Sequence, residues 1–330
     1  MTSLYITESG AYLRKRGGHV IAGRNNEVLM EIPLERIEDV TLVDSVQISS
    51  QLITEFLERN IPLSWISGYG RFYGSLVSNG AVDVLKHKKQ FELLDNDGLY
   101  FQIAKKVVFA KVHNQLTILR RYNRNLALES VDSSIRNILA IRKNIFSADD
   151  FRKLMGYEGI ISRVYFYALG EIVPEQFRFT KRTKQPPRDP FNSMLSLGYS
   201  MLFNEIMTGV LGCGLHPYVG FLHRLGKGHP ALVSDLIEEW RAPLVDSLVL
   251  ALVKRNMIDY SAFTCTEEGC FLDADARKVF LQAYNKKLRS LNQYFDGKYT
   301  YRESIKLQCR KYASAIMNDS AEMYEPLELR

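Results

Sequence analysis

The feature that most constrains the fold of this chain is a change of pattern near residue 80. Before it, short runs rich in β-branched and aromatic residues alternate with turn residues such as Gly17-Gly18. Short strands at this spacing predict a meander or a small sandwich. Beyond a turn predicted at Asn79-Gly80, the apolar residues follow a helical period. We therefore predict an α+β chain with a small N-terminal β domain over 1–84 and a larger all-α domain over 85–330.

One helix is expected inside the β domain, because apolar residues recur at helical spacing between a capping Ser49 and Glu58. In the larger domain, Ile103, Val107 and Ala110 form the apolar stripe of a helix over 98–124. Basic residues occupy much of its remaining surface: Lys105, Lys106, Lys111, Arg120, Arg121 and Arg124. A capping box at 147–150 predicts the start of another helix. Further helical periods cover 154–172, 191–210, 230–240 and 243–256.

Composition and targeting signals exclude several classes of protein. A chain of 330 residues with 46% hydrophobic and 24% charged residues is neither disordered nor collagen-like. No apolar run approaches the roughly 20 residues that span a bilayer, and the N-terminus has no secretory signal pattern. Four cysteines are too few for a disulfide scaffold. We expect a cytoplasmic protein that makes no use of a membrane.

The net charge of +6 is unevenly distributed along the chain. Residues 1–84 carry 7 Lys and Arg against 10 Asp and Glu, a balance of −3, so residues 85–330 hold +9. A basic domain joined to a slightly acidic one indicates that the larger domain meets a polyanion. The alternative is a solvated surface with a chance excess of lysine.

A short basic segment over 177–190 strengthens the polyanion interpretation. It contains two aromatic residues, three prolines and five basic residues before its first acid. The basic residues, hereafter the basic loop, are Arg178, Lys181, Arg182, Lys184 and Arg188. A mobile basic loop of this kind suits contact with DNA phosphates. A disordered surface connection is the alternative.

Two segments carry side chains suited to metal chemistry. Three histidines fall within fourteen residues: His216, His223 and His229. Behind them, Asp235, Glu238 and Glu239 have the spacing of one helix face. One imidazole with two carboxylates favours Mg²⁺ or Mn²⁺ over Zn²⁺. A solvated helix, neutralised by Arg241, is the alternative.

A further carboxylate, Glu158, stands between two glycines at the start of an otherwise apolar helix. By helical spacing, Ile161, Val164 and Tyr165 pack on its side, so we expect it to face inward. The glycines allow a backbone or a phosphate to approach closely. The alternative is a glutamate that stabilises the first helical turn.

Three ordered motifs together resemble a known family. The first runs from Pro186 through Arg188-Asp-Pro-Phe-Asn-Ser to Tyr199, and the second is Gly214-Leu-His-Pro-Tyr-Val-Gly-Phe-Leu-His223. The third runs from His229-Pro-Ala-Leu-Val-Ser through Asp-Leu-Ile-Glu-Glu to Asp246. This order closely resembles the CRISPR-associated spacer integrases, the metal-dependent DNA endonucleases and integrases of CRISPR adaptation. The length and the β-then-α order agree, so the resemblance covers essentially the whole chain.

The resemblance implies a site and a reaction. Glu158, His223 and Glu238 match the three metal ligands of the family, and Asp235 matches a further acid beside the metal. The implied cofactor is Mg²⁺ or Mn²⁺. The implied reaction joins prespacer 3′-hydroxyl ends to phosphodiesters of CRISPR repeats. The implied partners are double-stranded DNA, a second copy bound through the β domain, and a small ferredoxin-like adaptation subunit.

The chain departs from the family pattern at two histidines. His216 stands where Asp is frequent and His229 where a basic residue is frequent, which leaves His216 as an alternative to His223 in the ligand set. Asn192 and Tyr199 are candidates for hydrogen bonds near the phosphate, although core packing fits Tyr199 equally well. A catalytically inactive DNA-binding scaffold and a stand-alone nuclease on branched DNA are the competing functions.

The cysteines predict no metal site. Cys265 and Cys270 are separated by four residues, but no second pair or nearby histidine completes a zinc site. Gly269 between apolar runs predicts a β-hairpin instead. Cys213 and Cys309 are expected to be isolated packing residues.

Overall fold

The computed structural model describes residues 2–68, 72–76, 78, 82–223 and 226–329. Two compact units, Met1–Val82 and Asp83–Arg330, divide the chain. The boundary expected from the sequence, between 84 and 85, falls within the first turn of the helix that begins at Val84. The turn expected at Asn79-Gly80 and the last residue of the strand expected over 72–77 lie outside the described residues.

The first unit contains two mixed sheets and one α-helix among its described residues, and seven of its eight strands, all but Gln47–Ile48, match predicted strands. The strands are β1 (Thr2–Ile6), β2 (Tyr12–Arg16), β3 (His19–Arg24), β4 (Glu27–Pro33), β5 (Ile37–Val43), β6 (Gln47–Ile48), β7 (Leu63–Ile66) and β8 (Phe72–Leu76). Helix α1 (Ser50–Glu58) starts behind Ser49, whose hydroxyl accepts from the Leu52 amide as expected.

The pairing of these strands is only partly the predicted meander. Strands β2, β3 and β4 pair in sequence, antiparallel, and the short β6 adds to β2 in parallel. The other sheet has the order β1-β5-β7-β8, with β5 parallel to both β1 and β7. Parallel neighbours need a crossover, and α1 supplies it between β5 and β7. Leu13, Leu42 and Phe56 belong to the apolar core of this unit.

The second unit is helical and is interrupted by two hairpins. Its helices are α2 (Val84–Asp95), α3 (Gly98–Leu126), α4 (Glu129–Arg142), α5 (Phe151–Ile172), α6 (Pro190–Gly212), α7 (Ala231–Leu236), α8 (Glu238–Trp240), α9 (Ser247–Lys254), α10 (Ala274–Leu288) and α11 (Tyr301–Met317). A π-helical turn, Arg241–Asp246, joins α8 to α9. The hairpins are β9 (Phe263–Thr266) with β10 (Gly269–Leu272), and β11 (Leu291–Tyr294) with β12 (Gly297–Thr300). This architecture confirms the predicted fold class.

Local sequence explains where the helices that carry the site begin. Asp150, not Ser147, caps α5 by accepting from the Lys153 amide at 2.7 Å. The capping box expected at 147–150 is therefore wrong, because the Ser147 hydroxyl donates back to the Asn144 carbonyl. Asp189 caps α6, and Pro190 fits the first turn because its missing N–H needs no partner there.

The cysteine hairpin has the predicted form. Cys265 and Cys270 face each other across β9 and β10 and form a disulfide that the sequence did not predict. Cys309 is buried and Cys213 half-buried, and both are free. Across the described part of the chain, every helix is too short or too polar to span a lipid bilayer.

Candidate active site

Two carboxylates from separate helices meet around one ammonium group. Glu158 of α5 and Glu238 of α8 both contact Nζ of Lys111, which lies on α3. The distance from Lys111 Nζ to Glu238 Oε2 is 2.6 Å. All three side chains are largely buried, with 16% of Glu158, 7% of Glu238 and 9% of Lys111 exposed. Buried carboxylates this close together require a cation, and Lys111 supplies it.

A second cation adjoins the same pair. Nε of Arg241, at the start of the π-helical turn, lies 3.2 Å from Glu238 Oε1. Burial acts to raise the pKa of Glu238, but Arg241 and Lys111 outweigh it and lower this pKa to about 2. For Glu158, burial is likewise outweighed by the Lys111 ammonium, so its pKa lies below the usual value. Both carboxyl groups are therefore ionised at neutral pH.

His223 lies beside this pair but is held by another acid. Its Nδ1 is 2.5 Å from Oδ1 of the fully buried Asp235. The hydrogen bond to Asp235 raises the pKa of His223 against the opposing effect of burial. Because Nδ1 faces a carboxylate, Nε2 is the nitrogen that remains to bind a metal. The charges of Glu238 and Lys111 also act on the pKa of this imidazole.

Asp235 organises the chain around His223. Its carboxylate accepts the backbone N–H groups of Phe221 at 2.6 Å, Leu222 at 2.9 Å and His223 at 3.0 Å. Gly220 is required at the start of this turn, because a Cβ there would overlap Oδ2 of Asp235. Asp235 therefore orients the histidine and its loop rather than standing free beside the carboxylate pair.

The structure thus brings two of the three predicted ligands, Glu158 and Glu238, together on a common cation, while the third, His223, is hydrogen-bonded to Asp235. Among the described residues, no three His, Cys, Asp or Glu side chains are already close enough to hold a metal ion. The donor set still fits a hard divalent cation, since it offers two carboxylates and an oriented imidazole. Oε2 of Glu238 is buried and makes no hydrogen bond, only the ion pair with Lys111. Lys111 occupies the position where a metal ion would meet both carboxylates.

The expected common face of Asp235, Glu238 and Glu239 is wrong for Glu239. This residue is fully buried on another side, where it accepts from the Gln308 side chain and, at 3.1 Å, from the Leu327 amide. Burial raises its pKa well above the usual value. The side chains of successive helical residues point about 100° apart, so Glu238 and Glu239 contact different parts of the protein.

The basic loop is attached to the helical unit at several points. Asn192 at the start of α6 donates to the Lys181 carbonyl and accepts from Arg182 Nη1 at 2.9 Å. Arg182 also donates to Ser196 Oγ at 2.9 Å, and Arg188 donates to the Glu267 carbonyl. Asn192 thus holds the loop, while a free and mobile loop was expected.

The loop residues differ in where their charges lie. Arg178, Lys181, Lys184 and Arg188 are exposed, whereas Arg182 is partly buried with its guanidinium 5.3 Å from the Tyr199 ring centroid. Lys184 is open to solvent on one side, and partial desolvation, followed by the charges of Arg241 and Arg182, lowers its pKa. The loop adjoins the carboxylate pair through Arg182, which faces the same Tyr199 ring as Arg241, the residue that contacts Glu238.

Tyr199 is a packing residue with a polar anchor. Its hydroxyl donates to Asp246 Oδ1 at 2.5 Å, and the Tyr165 hydroxyl donates to Oδ2 of the same residue at 2.7 Å. Burial raises the pKa of Asp246 to about 6. The Tyr199 ring lies under Arg241, with 4.7 Å from the guanidinium carbon to the ring centroid. The Tyr199 ring thereby contacts the guanidinium groups of both Arg182 and Arg241.

The alternative histidines are engaged elsewhere. The ring of His216 packs against His87, Phe91 and Tyr218, with centroids 5.1, 5.4 and 5.9 Å away. The ring of His229 lies 6.2 Å from that of His223. His216 is therefore a member of an aromatic cluster, whereas His223 is hydrogen-bonded to Asp235.

Sequence analysis missed the role of Lys111 and assigned it to the basic surface of the 98–124 helix. The structure buries Lys111, with 7% of the residue exposed. Its spacing carried the signal, because it follows Val107 by four residues and Val108 by three on a buried stripe. Lys106 is also engaged, donating to the carbonyls of Ala321 and Tyr324.

Known proteins resemble this chain over most of its length. The family model for CRISPR associated protein Cas1 matches residues 4–286. CRISPR-associated endonuclease Cas1 3 of Thermus thermophilus is 30% identical over 331 residues, which cover 99% of this chain and 97% of the relative. CRISPR-associated endonuclease Cas1 of Mycobacterium tuberculosis is 28% identical over 321 residues, with 96% and 94% covered.

Solved structures show the same fold at lower identity. A Cas1 protein from Thermotoga maritima has a TM-score of 0.82 and 23% identity, with 96% of this chain and 97% of that one covered. A casposase bound to its integration product has a TM-score of 0.83 and 20% identity, with 99% and 93% covered. A chain of a Cas6-RT-Cas1–Cas2 complex has a TM-score of 0.85 and 24% identity; all of this chain matches 36% of that longer one.

These findings define the class first: the chain has the fold of the endonucleases that it matches over nearly its whole length. The chain belongs to the CRISPR-associated Cas1 family. The predicted resemblance is thereby confirmed, and the endonuclease names of the curated relatives support nuclease activity in general.

The bond between Asp235 and His223 generates a prediction that NMR can test. Asp235→Asn replaces a charged acceptor with a neutral amide, so the pKa of His223 should fall. A raised folded-state pKa means that His223 stabilises the fold below about pH 6.5, and that this contribution disappears as the pH rises through the folded-state pKa. The free energy of unfolding of Asp235→Asn should therefore fall below that of the wild type mainly at acidic pH, where the protonated His223 stabilises the wild-type fold.

The measurement is the titration of the histidine ring resonances in both proteins. The ring resonances of the other histidines are the internal control. An unchanged His223 titration in Asp235→Asn would show that the contact does not control this imidazole.

Proposed function

We propose that this chain is a metal-dependent DNA integrase and endonuclease that uses Glu158, His223 and Glu238 as ligands of Mg²⁺ or Mn²⁺. The observation that carries the proposal is the buried pair of ionised carboxylates that share the Lys111 ammonium, together with an imidazole oriented by Asp235. The endonuclease name of the curated relatives supports nuclease chemistry. A catalytically inactive scaffold would have no need of such a costly buried arrangement.

The proposed reaction is a transesterification. The oxygen of a prespacer 3′-hydroxyl attacks a phosphorus of the CRISPR repeat, a new phosphodiester forms, and the displaced 3′-hydroxyl of the repeat strand leaves. A bound divalent ion supplies charge stabilisation at the phosphoryl oxygens and lowers the pKa of the attacking hydroxyl. Hydrolysis follows the same course with water as the nucleophile.

The residues of the chain bind and position the reacting groups. Asp235 fixes the ring of His223, and Tyr199 fixes the guanidinium groups of Arg182 and Arg241. These two arginines are suited to hold phosphate oxygens because a planar guanidinium donates two parallel hydrogen bonds. A Cβ on Gly156 or Gly159 would meet only open space, which leaves room for a DNA strand beside Glu158.

The exposed part of the basic loop is proposed to hold the DNA backbone. Arg178, Lys181, Lys184 and Arg188 supply positive charge without reading sequence. The fold neighbour bound to an integration product supports DNA as the substrate class. Because the proposed substrate is genomic DNA, the cytoplasm is the proposed location.

Catalysis and binding should separate in a variant pair. His223→Ala should reduce strand transfer at least 100-fold by removing a metal ligand, while DNA affinity changes less than about twofold because phosphate contacts are retained. A triple variant Arg178→Gln, Lys181→Gln, Lys184→Gln should weaken binding and reduce the salt slope by about one unit per lost phosphate contact. Salt titration and integration into a supercoiled plasmid bearing a repeat measure both effects.

The matched control is His216→Ala, which removes an imidazole outside the proposed ligand set. Normal integration by this control is expected. Should His223→Ala integrate normally while His216→Ala fails, the ligand assignment would be wrong and His216 would take its place.

The assembly is also a proposal. We propose a homodimer that forms through residues 1–84, together with a small ferredoxin-like adaptation subunit. Strand β4 lies at the edge of its sheet and exposes 52% of both Val28 and Leu29, an apolar surface suited to burial against another chain. The fold neighbour titled as a Cas1–Cas2 complex supports a further protein partner.

A double substitution tests the dimer in the full-length chain. Val28→Asp with Leu29→Asp places two charges on the proposed interface and should convert the dimer to a monomer in light scattering. Met257→Asp, at a residue 49% exposed in the second unit, is the control and should leave the dimer intact. A dimer that persists in the double variant would exclude β4 as the interface.

A further inference from the structure

Lys111 is an internal cation in the position that a metal ion would need. Its ammonium contacts Glu158 and Glu238 at once, while the residues beside it on α3, Ala110 and Val112, are fully buried. With Arg241 beside Glu238, two negative charges meet two positive ones. The pair is thus electrically balanced by groups of the chain itself.

A divalent ion cannot join this arrangement without displacing Lys111. The ion would bind the same oxygen atoms that contact the ammonium, at a distance where like charges repel strongly in a buried site. Arg241 would add to this repulsion, since its Nε lies 3.2 Å from Glu238 Oε1. Lys111 and the metal therefore compete for Glu158 and Glu238.

An anion that binds the Lys111 ammonium would end its competition with the metal ion for Glu158 and Glu238. Arg182 of the basic loop and Arg241 both face the ring of Tyr199, and Nε of Arg241 lies 3.2 Å from Glu238. A DNA phosphate held by these two arginines would therefore lie next to the carboxylate pair that Lys111 contacts. A phosphate that takes over the contacts of Lys111 leaves both carboxylates free for a divalent ion. Two ligands that each favour the same state must tighten each other's binding.

We propose that Lys111 couples metal loading to DNA binding: its ammonium occupies the site in the free protein and moves to a DNA phosphate when DNA and metal bind together. This inference rests on the proposed metal-dependent function. It assigns to Lys111 a regulatory role at that site.

The test measures Mn²⁺ affinity by EPR, from the signal of free Mn²⁺, with and without a duplex whose 3′ ends are dideoxy-terminated. The wild-type chain should bind Mn²⁺ at least tenfold more tightly when the duplex is present. Lys111→Met removes the charge and keeps most of the side-chain volume. It should bind Mn²⁺ at least tenfold more tightly than wild type without DNA, and the gain from DNA should fall below threefold.

Lys105→Met, on the same helix, is the matched control and should behave as wild type. Circular dichroism checks folding, and Lys111→Gln serves as a second variant with the same expected result. Unchanged or weaker Mn²⁺ affinity of a folded Lys111 variant without DNA overturns the proposal. So does a wild-type affinity that is equal with and without DNA. If wild type binds no Mn²⁺ under either condition, the metal-dependent function fails as well.

Discussion

The constraint on which this site depends is the burial of two ionised carboxylates next to each other. Glu158 and Glu238 come from helices far apart in sequence, and neither can be buried as an anion without a neighbouring cation. Lys111 and Arg241 meet that need, and the pKa of Glu238 falls to about 2 as a result. The acidic pair is therefore held in its charged form, which is the form that binds a divalent metal ion.

The helical unit is arranged around this pair. The long helix α3 carries Lys111, α5 carries Glu158, and the broken segment from α7 to α9 carries Asp235, Glu238 and Arg241. The π-helical turn after α8 shifts the helical register, a feature that is frequent at functional sites. Glu239 binds the amide of Leu327 near the C-terminus, while Glu238 faces the site. Of these two adjacent residues, Glu239 therefore anchors the C-terminal segment and Glu238 belongs to the candidate site.

Local patterns predicted the elements of this fold well. The strands of the first unit, the Ser49-capped helix and the hairpin at 265–270 follow from short-range turn and periodicity signals, and all are present. The parallel pairing of β5 with β1 and β7 was missed because strand neighbours depend on tertiary contacts. The cap of α5 was misplaced by three residues, since Ser147 and Asp150 are both good capping residues and only the geometry distinguishes them.

The sequence named the acids, the histidine and Arg241 of this cluster as candidates, but it did not identify Lys111 as the cation that the two glutamates share. Motif order directed attention to Glu158, His223 and Glu238, whereas Lys111 was placed with the exposed lysines of its helix. Its partners lie 47 and 127 residues away in sequence, so local spacing shows that it is buried but not what it contacts. The hydrogen bond between Arg182 and Asn192 was missed for the same reason. The composition of the loop predicts a solvated segment, and the contact that holds it depends on the tertiary structure.

The central claim is that Glu158 and Glu238 form the metal site of a DNA-joining enzyme. Anomalous diffraction from a complex of the full chain with Mn²⁺ and DNA tests it most directly. The account predicts one strong manganese peak within about 2.3 Å of a carboxylate oxygen of Glu158 and of Glu238, near Nε2 of His223, with the Lys111 ammonium displaced from both carboxylates. A manganese peak elsewhere, with Lys111 still bridging the two glutamates in the presence of DNA, would contradict it.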